Sequence, residues 1–143
     1  MPTIKILGRG QTTVIDAYLS PILLEYINIL KKETGNIPLE FMQSSGGLVN
    51  AEGFKGKDAI MSGPSGGVIA AAKISELNMM SESISFDMGG TSTDVSRFAG
   101  DYEKLEESTL DGISFQSNSI NINTVAAGGG SILWFDGEKM RVG

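Results

Sequence analysis

The sequence predicts a mixed α/β fold, with a helix–strand front half and antiparallel hairpins in the back half. Two observations carry this. Apolar residues recur at helical spacing up to about Ser83 and alternate with polar residues after it. The 19 glycines are clustered between the periodic runs, where backbone must turn sharply or approach something closely. With 143 residues the chain is long enough for one domain with a real core, and residues 1–143 read as that single domain.

Taken in order, Ile4–Leu7 suits a short strand. Ser20 and Pro21 suit an N-cap and first helical position. Ile22, Leu23, Tyr26, Ile27 and Leu30 then recur on one face, and Lys31, Lys32 and Gly35 close the helix. Val14–Leu19 is either a separate helical piece or the same helix kinked at Pro21. Pro38–Met42 reads as a buried strand, Gln43–Gly47 as its loop, and Ala51–Phe54 as a weak helical segment. Ser62–Gly67 is a second glycine loop, followed by an alanine-packed helix over Val68–Ile74. Beyond Ser83, Ile84–Asp87, Asp94–Phe98 and Tyr102–Glu106 read as consecutive strands, the last two joined by a hairpin turn at Gly100-Asp101. Ile113–Phe115 and Ile120–Val125 add alternation. Ser131–Phe135 and Lys139–Val142 suit a hairpin about Asp136-Gly137. Trp134 and the seven methionines read as core residues.

Composition excludes several classes. A net charge of -6 argues against general binding to nucleic acid or an anionic membrane. With no cysteine and no histidine, disulfides, thiolate chemistry and imidazole bases or metal ligands are excluded. Charge or glycine is expected to interrupt every apolar stretch short of a membrane span, and the N-terminus lacks a signal-peptide layout. A soluble cytoplasmic protein is the expectation. Nothing after the last strand marks a natural finish, so the chain is expected to be an interior segment of a longer polypeptide.

The stretch richest in chemistry is Phe86-Asp87-Met88-Gly89-Gly90-Thr91-Ser92-Thr93-Asp94-Val95-Ser96. It reads as strand, tight turn and return strand. Gly89 and Gly90 can turn their amides toward an anion. Thr91 and Thr93 offer hydroxyls to phosphate oxygens. Asp87 is placed to hold Mg2+ through water, because that ion keeps much of its hydration shell. Asp94 could orient a water nucleophile or brace the turn. A bare Asp-x-Gly-Gly is more often a plain capped hairpin, but the full Asp-x-Gly-Gly-Thr-x-Thr-Asp run favours a phosphate site. Gly128, Gly129 and Gly130 permit a close pass of backbone over a nucleotide, and equally a bulged turn between strands. Ser62–Gly67 could present a helix N-terminus to an anion, although tight strand–helix packing explains it better. Ser44–Gly47 could line a cleft or be a simple turn. Asp16, Glu25, Glu40 and Glu52 read as solvated charges or caps. No Gly-x-x-x-x-Gly-Lys-[Ser/Thr] run is present, so the chain is not a P-loop ATPase.

Together, Asp16–Pro21, Met42–Gly47, Ser62–Val68, Phe86–Ser96 and Thr124–Ile132 resemble the hydantoinase A / 5-oxoprolinase family, which also includes an acetone carboxylase subunit. Their order and spacing cover nearly the whole chain. The resemblance implies an actin-like ATPase (ribonuclease H-like) domain fragment, with ATP held between two domains by one phosphate hairpin from each. It implies ATP and Mg2+ as cofactors and ATP-dependent opening of a cyclic amide such as a hydantoin or 5-oxoproline. It also implies a hydantoinase B-type partner subunit. On this reading Asp87 and Asp94 serve catalysis, Asp87 also holds the metal, and Gly89, Gly90, Thr91, Thr93, Gly128, Gly129 and Gly130 bind the nucleotide. The chain departs from the family at Asn121-Ile122-Asn123-Thr124, where Asp-Ile-His-Thr is usual, and has Ser45 for Asn and Ser65 for Ala. The alternative is a noncatalytic, regulatory ATP-binding protein of the same fold.

Overall fold

A computed structural model describes residues 5–35, 37–110 and 112–142. They divide into two compact units, one of residues 5–66 and 103–120, the other of residues 67–102 and 121–142. The α/β class with antiparallel hairpins holds.

The first unit opens with α1, Ile6–Thr34, a single helix of 29 residues. The strand expected over Ile4–Leu7 is corrected: Ile6 and Leu7 form the first turn of α1, and Ile4 lies outside the described residues. Pro21 sits inside this helix, so Val14–Leu19 and the later stripe are continuous and Ser20 is not its N-cap. The missing Pro21 amide leaves the carbonyl of Ala17 without its helical donor, on an exposed residue where water can take its place. Gly35, at φ +67°, ends the helix as expected. The buried stripe is narrower than the sequence suggests. Leu23, Ile27 and Leu30 turn inward, whereas Ile22 and Tyr26 remain exposed.

Strands β1 (Glu40–Met42) and β2 (Leu48–Asn50) pair antiparallel, with Phe41 opposite Val49. Strand β2 was not expected, because its single apolar pair is too short to alternate. Ala51–Phe54 is turn and loop, and the short helix lies further on as α2, Gly56–Ala59. Ile27, Ala51 and Phe54 form the local core with Leu23, Phe41, Val49 and Ala59 packed against it. The Phe41 and Phe54 rings stack at 5.2 Å. Strands β5 (Lys104–Leu110) and β6 (Ile113–Ile120) complete the unit as a hairpin, with Gly112 at φ +81° in its turn.

Two small polar hubs tie this unit. Asp16 and Ser20, one turn apart on α1, cap α2 from outside: Lys57 N donates to Asp16 Oδ1 at 3.0 Å and Gly56 N to Ser20 Oγ at 3.1 Å. Asp16 is thus a cap, as read. Ser44, 1% exposed, accepts from Met61 N, donates its hydroxyl to the Asp58 carbonyl, and offers its own carbonyl to Ile120 N and to Ser65 Oγ. The expectation that no stretch approaches membrane length needs correcting, since α1 is long and apolar enough by length and composition alone. Yet Thr12, Asp16 and Ser20 of this helix all accept from backbone amides of the same unit.

Helix α3, Ser62–Leu77, runs from the first unit into the second. The glycine loop expected over Ser62–Gly67 is itself helical, and Pro64 is tolerated in the first turn, where its missing amide costs no helical bond. Val68, Ala72 and Ser75, spaced by one turn each, are buried. In the second unit β3 (Ser83–Met88), β4 (Thr93–Phe98) and β7 (Asn123–Val125) form an antiparallel sheet in the order β3-β4-β7. Gly100-Asp101 makes a turn with one bridge, Phe98 to Tyr102, but β4 does not continue into a β4–β5 ladder; β5 pairs with β6 instead. Strands β8 (Leu133–Phe135) and β9 (Met140–Val142) form the hairpin expected about Asp136-Gly137. Trp134 is half exposed and Met79 almost wholly so, correcting their reading as core residues.

Removing the external cap should weaken the first unit. Asp16→Ala is expected to cost about 1 kcal/mol, as other caps do. Gly56→Ala should cost about 1–3 kcal/mol, because a Cβ there would stand 2.7 Å from both Leu19 Cβ and Ser20 N. Urea unfolding of each variant checks both values. In the β8–β9 turn, the amides of Lys139 and Glu138 and the Arg141 guanidinium hold the Asp136 carboxyl below its ordinary 3.8. A depressed value means this turn's contribution is present above 3.8 and lost as pH falls through the lower folded value. Amide chemical shifts of Gly137–Lys139 should therefore titrate below pH 3.8, and Asp136→Asn should abolish that titration.

Candidate functional site

In the second unit, β3 and β4 pair with Phe86 opposite Val95, Asp87 opposite Asp94 and Met88 opposite Thr93. The connecting turn, Gly89–Ser92, is closed by Gly89 N donating to Ser92 O at 2.9 Å. Strand alternation puts Ser83, Ser85 and Asp87 on one face of β3. Ser75 of α3 donates to Ser83 Oγ at 2.8 Å, and a Cβ on Gly67 of the same helix would stand 3.2 Å from Asp87 Oδ2. Helix α3 thus runs along this face, and the bare backbone at Gly67 leaves room for the Asp87 carboxylate.

Two carboxylates opposite one another across a sheet repel. They are treated differently here. Thr124 on β7, opposite Asp94 in the ladder, donates its hydroxyl to Asp94 Oδ1 at 2.6 Å. Asp87 is exposed, and among the described residues its carboxylate accepts no hydrogen bond and joins no ion pair.

After β7 the chain crosses the hairpin turn. Thr93 Oγ1 donates to Ala127 O at 2.6 Å, Gly129 N to Gly89 O at 2.9 Å and Gly130 N to Gly90 O at 2.8 Å. Gly128 N donates to Ser131 Oγ at 3.0 Å. The approach is so close that a Cβ on Gly128 would meet Gly89 O at 2.6 Å, with Gly90 C and Ser92 N both at 2.8 Å.

The structure therefore brings together the residues nominated for the nucleotide and metal: Asp87, Gly89, Gly90, Thr91, Thr93, Asp94, Gly128, Gly129 and Gly130. It divides their tasks in a way the sequence did not. Thr93 is buried and its hydroxyl is given to Ala127. The amides of the glycine triplet all have partners within the protein. The amides of Gly90 and Thr91 and the Thr91 hydroxyl have none among the described residues, and both residues are exposed. Thr124 went unnominated, and Gly67 and Ser131 were named only within candidate phosphate loops, not for the roles they play here. Their parts depend on strand register and helix placement, which no local motif encodes. The Ser44–Gly47 and Ser62–Gly67 loops do not join this site as ligand-facing loops, since Ser44 and Ser65 are buried braces of the first unit.

Chemically, the hairpin tip offers one unengaged carboxylate beside unengaged backbone donors and a hydroxyl. Oxygen donors of this kind suit Mg2+, which is held by one or two carboxylates with phosphate and water completing its shell. Among the described residues there is no cluster of three or more acidic, histidine or cysteine side chains that could hold a metal unaided. The arrangement fits a cation that arrives with a phosphate.

Residues 9–143 match the family described as Hydantoinase/oxoprolinase. Over 147 residues the chain is 44% identical to 5-oxoprolinase 1 of Arabidopsis thaliana, covering 99% of this chain and 12% of that protein. It is 33% identical over 143 residues to caprolactamase subunit alpha of Pseudomonas jessenii, covering 94% of this chain and 20% of that protein. The solved structure of ATP-dependent caprolactamase from the same organism superposes with a TM-score of 0.74 at 32% identity, over 96% of this chain and 21% of that one. Nucleotide-free acetone carboxylase, described as performing ATP-dependent acetone carboxylation, superposes with a TM-score of 0.80 at 26% identity, over 99% of this chain and 21% of that one. The chain thus spans about an eighth of the length of the 5-oxoprolinase it matches.

Proposed function

Because this chain belongs to the hydantoinase/oxoprolinase family, we propose that it supplies one phosphate-binding hairpin to the nucleotide site of an ATP-dependent cyclic-amide hydrolase. The observation that carries this reading is the Asp87 hairpin tip. It keeps a carboxylate, two amides and a hydroxyl without partners among the described residues in a chain whose relatives include 5-oxoprolinases and an ATP-dependent caprolactamase.

Bound Mg–ATP would supply a phosphoryl group to the amide oxygen with release of ADP, which makes the ring carbon electrophilic toward water so that the ring C–N bond can break. The amides of Gly90 and Thr91 and the Thr91 hydroxyl would face phosphate oxygens. Asp87 would hold the cation through water and place it against those oxygens. Asp94, fixed by Thr124, keeps its second carboxylate oxygen for orienting a water. Donors fixed in advance cost no reorganisation when charge develops, which is why such turns are effective. The opposing hairpin belongs to another part of a longer polypeptide. The name of the caprolactamase relative, a subunit alpha, supports a partner subunit of the B type.

The surface of the second unit supports membership in a larger body. Strand β3 turns its serine face toward α3 and leaves Ile84, Phe86 and Met88 outward, each more than half exposed. Leu133, Trp134, Phe135 and Met140 of the β8–β9 hairpin are likewise exposed. Exposed apolar strand faces of this kind mark packing partners.

In the enzyme that carries this segment, Asp87→Asn should leave the melting temperature unchanged and lower the rate of ATP hydrolysis by about tenfold to a thousandfold. Hydrolysis at the wild-type rate would make the hairpin a structural turn. A collapsed melting temperature without ligand would make Asp87 a buried brace. The isolated chain should bind Mg–ATP weakly and open no cyclic amide, since half a clamp cannot exclude water from the γ-phosphate. Ring opening by the purified chain, followed by product chromatography, would overturn that.

A further inference from the structure

We propose that Thr93 and the Gly128–Gly130 run form a backbone splint that sets the shape of the Gly89–Ser92 turn, acting on a bound nucleotide through that turn without touching it. The nucleotide part of this proposal rests on the reading of the hairpin as a phosphate site. The splint itself rests on hydrogen bonds and sterics alone.

The argument is an accounting of donors. Thr93 has one hydroxyl proton, and it goes to Ala127 O at 2.6 Å from a side chain that is 4% exposed. That hydroxyl reaches no ligand in this conformation. The Gly129 and Gly130 amides each have one proton, and these go to Gly89 O and Gly90 O. The Gly128 amide goes to Ser131 Oγ. The triplet is therefore left with no donor for a phosphate.

What the triplet provides is proximity. Glycine is required at Gly128 because three backbone atoms of the turn lie within 2.8 Å of where a Cβ would be. At Gly130 a Cβ would meet one, Gly90 O, at 2.9 Å, whereas at Gly129 the nearest contact is an ordinary 3.7 Å. The three glycines are thus unequal: Gly128 is sterically obligatory, Gly130 intermediate and Gly129 permissive. A nucleotide lying on the triplet would impose no such ranking. Fixing Gly89 O and Gly90 O toward the triplet also directs the carbonyls away from the side on which the Gly90 and Thr91 amides are open. An anion is thereby offered donors and spared acceptors.

The test uses amide NMR spectra of the 143-residue chain, free and titrated with millimolar Mg–ATP. In the wild type, the Gly129 and Gly130 amides should exchange with solvent at least about tenfold more slowly than those of Gly90 and Thr91. Thr93→Val keeps the side-chain shape and removes the hydroxyl. It should erase that protection and raise the Kd read at the Thr91 amide by about tenfold. Thr93→Ser should restore both to within about twofold of wild type. Gly128→Ala should behave like Thr93→Val, and Gly129→Ala like wild type.

Equal exchange of Gly129 and Gly90 in the wild type would overturn the splint, and needs no variant to fold. Loss of the Mg–ATP response in Gly129→Ala with unshifted hairpin amides would show direct contact and overturn it as well, as would equal damage from Thr93→Ser and Thr93→Val. A protected triplet in a wild-type chain with no Mg–ATP response would uphold the splint and leave the phosphate-site reading to be decided by the Asp87→Asn assay in the enzyme that carries this segment.

Discussion

Backbone pressed against backbone governs the second unit. Gly129 and Gly130 donate to the carbonyls of Gly89 and Gly90, and the contact is possible only because Gly128 has no side chain. Much else in the unit serves this closeness. Strand β7 pairs with β4 for only three residues, yet that places Thr124 beside Asp94 and carries the chain to the turn. Thr93, the first residue of β4, then holds Ala127 just before the triplet begins. Ser131 ends the crossing by accepting at its Oγ from the amide of Gly128, the first of the triplet. Two glycine clusters separated by nearly forty residues of sequence are thus one structural object.

The first unit solves a similar problem with hydroxyls. Its short helix α2 has too few residues to cap itself, and Asp16 and Ser20 of α1 cap it from outside. Ser44 plays the corresponding part at the β1–β2 turn, serving Asp58, Met61, Ser65 and Ile120. Buried hydroxyls of this kind satisfy backbone groups that short elements leave orphaned. The unit has a small apolar core, so these bonds fix its geometry where packing alone would leave choices open.

How much of this was legible depended on whether information was local. The Asp87 hairpin could be read because an alternating run, two glycines and a second alternating run lie within a dozen residues. The β8–β9 hairpin was equally clear from Asp136-Gly137. Pairing of β5 with β6, rather than with β4, was not, because Gly100-Asp101 is a good turn and strand choice is decided by distant partners. The helix start at Ser62 was hidden by a glycine-rich composition that propensity disfavours. Thr93 illustrates the same limit within the site. Its residue type suggested a phosphate donor, and only the register with β7 shows that its hydroxyl is already engaged.

The outward apolar face of β3 bears on handling as well as architecture. Among the described residues strand β3 lies at the sheet's edge, with β4 as its one ladder partner. It carries Ile84, Phe86 and Met88 outward next to a row of peptide groups without ladder partners among the described residues. An edge of that kind is a template for further strands and a starting point for aggregation when nothing blunts it. Whatever packs on this face would therefore lower the tendency of the segment to aggregate. During synthesis, the interval between the emergence of β3 and the arrival of its cover is when a chaperone would matter most.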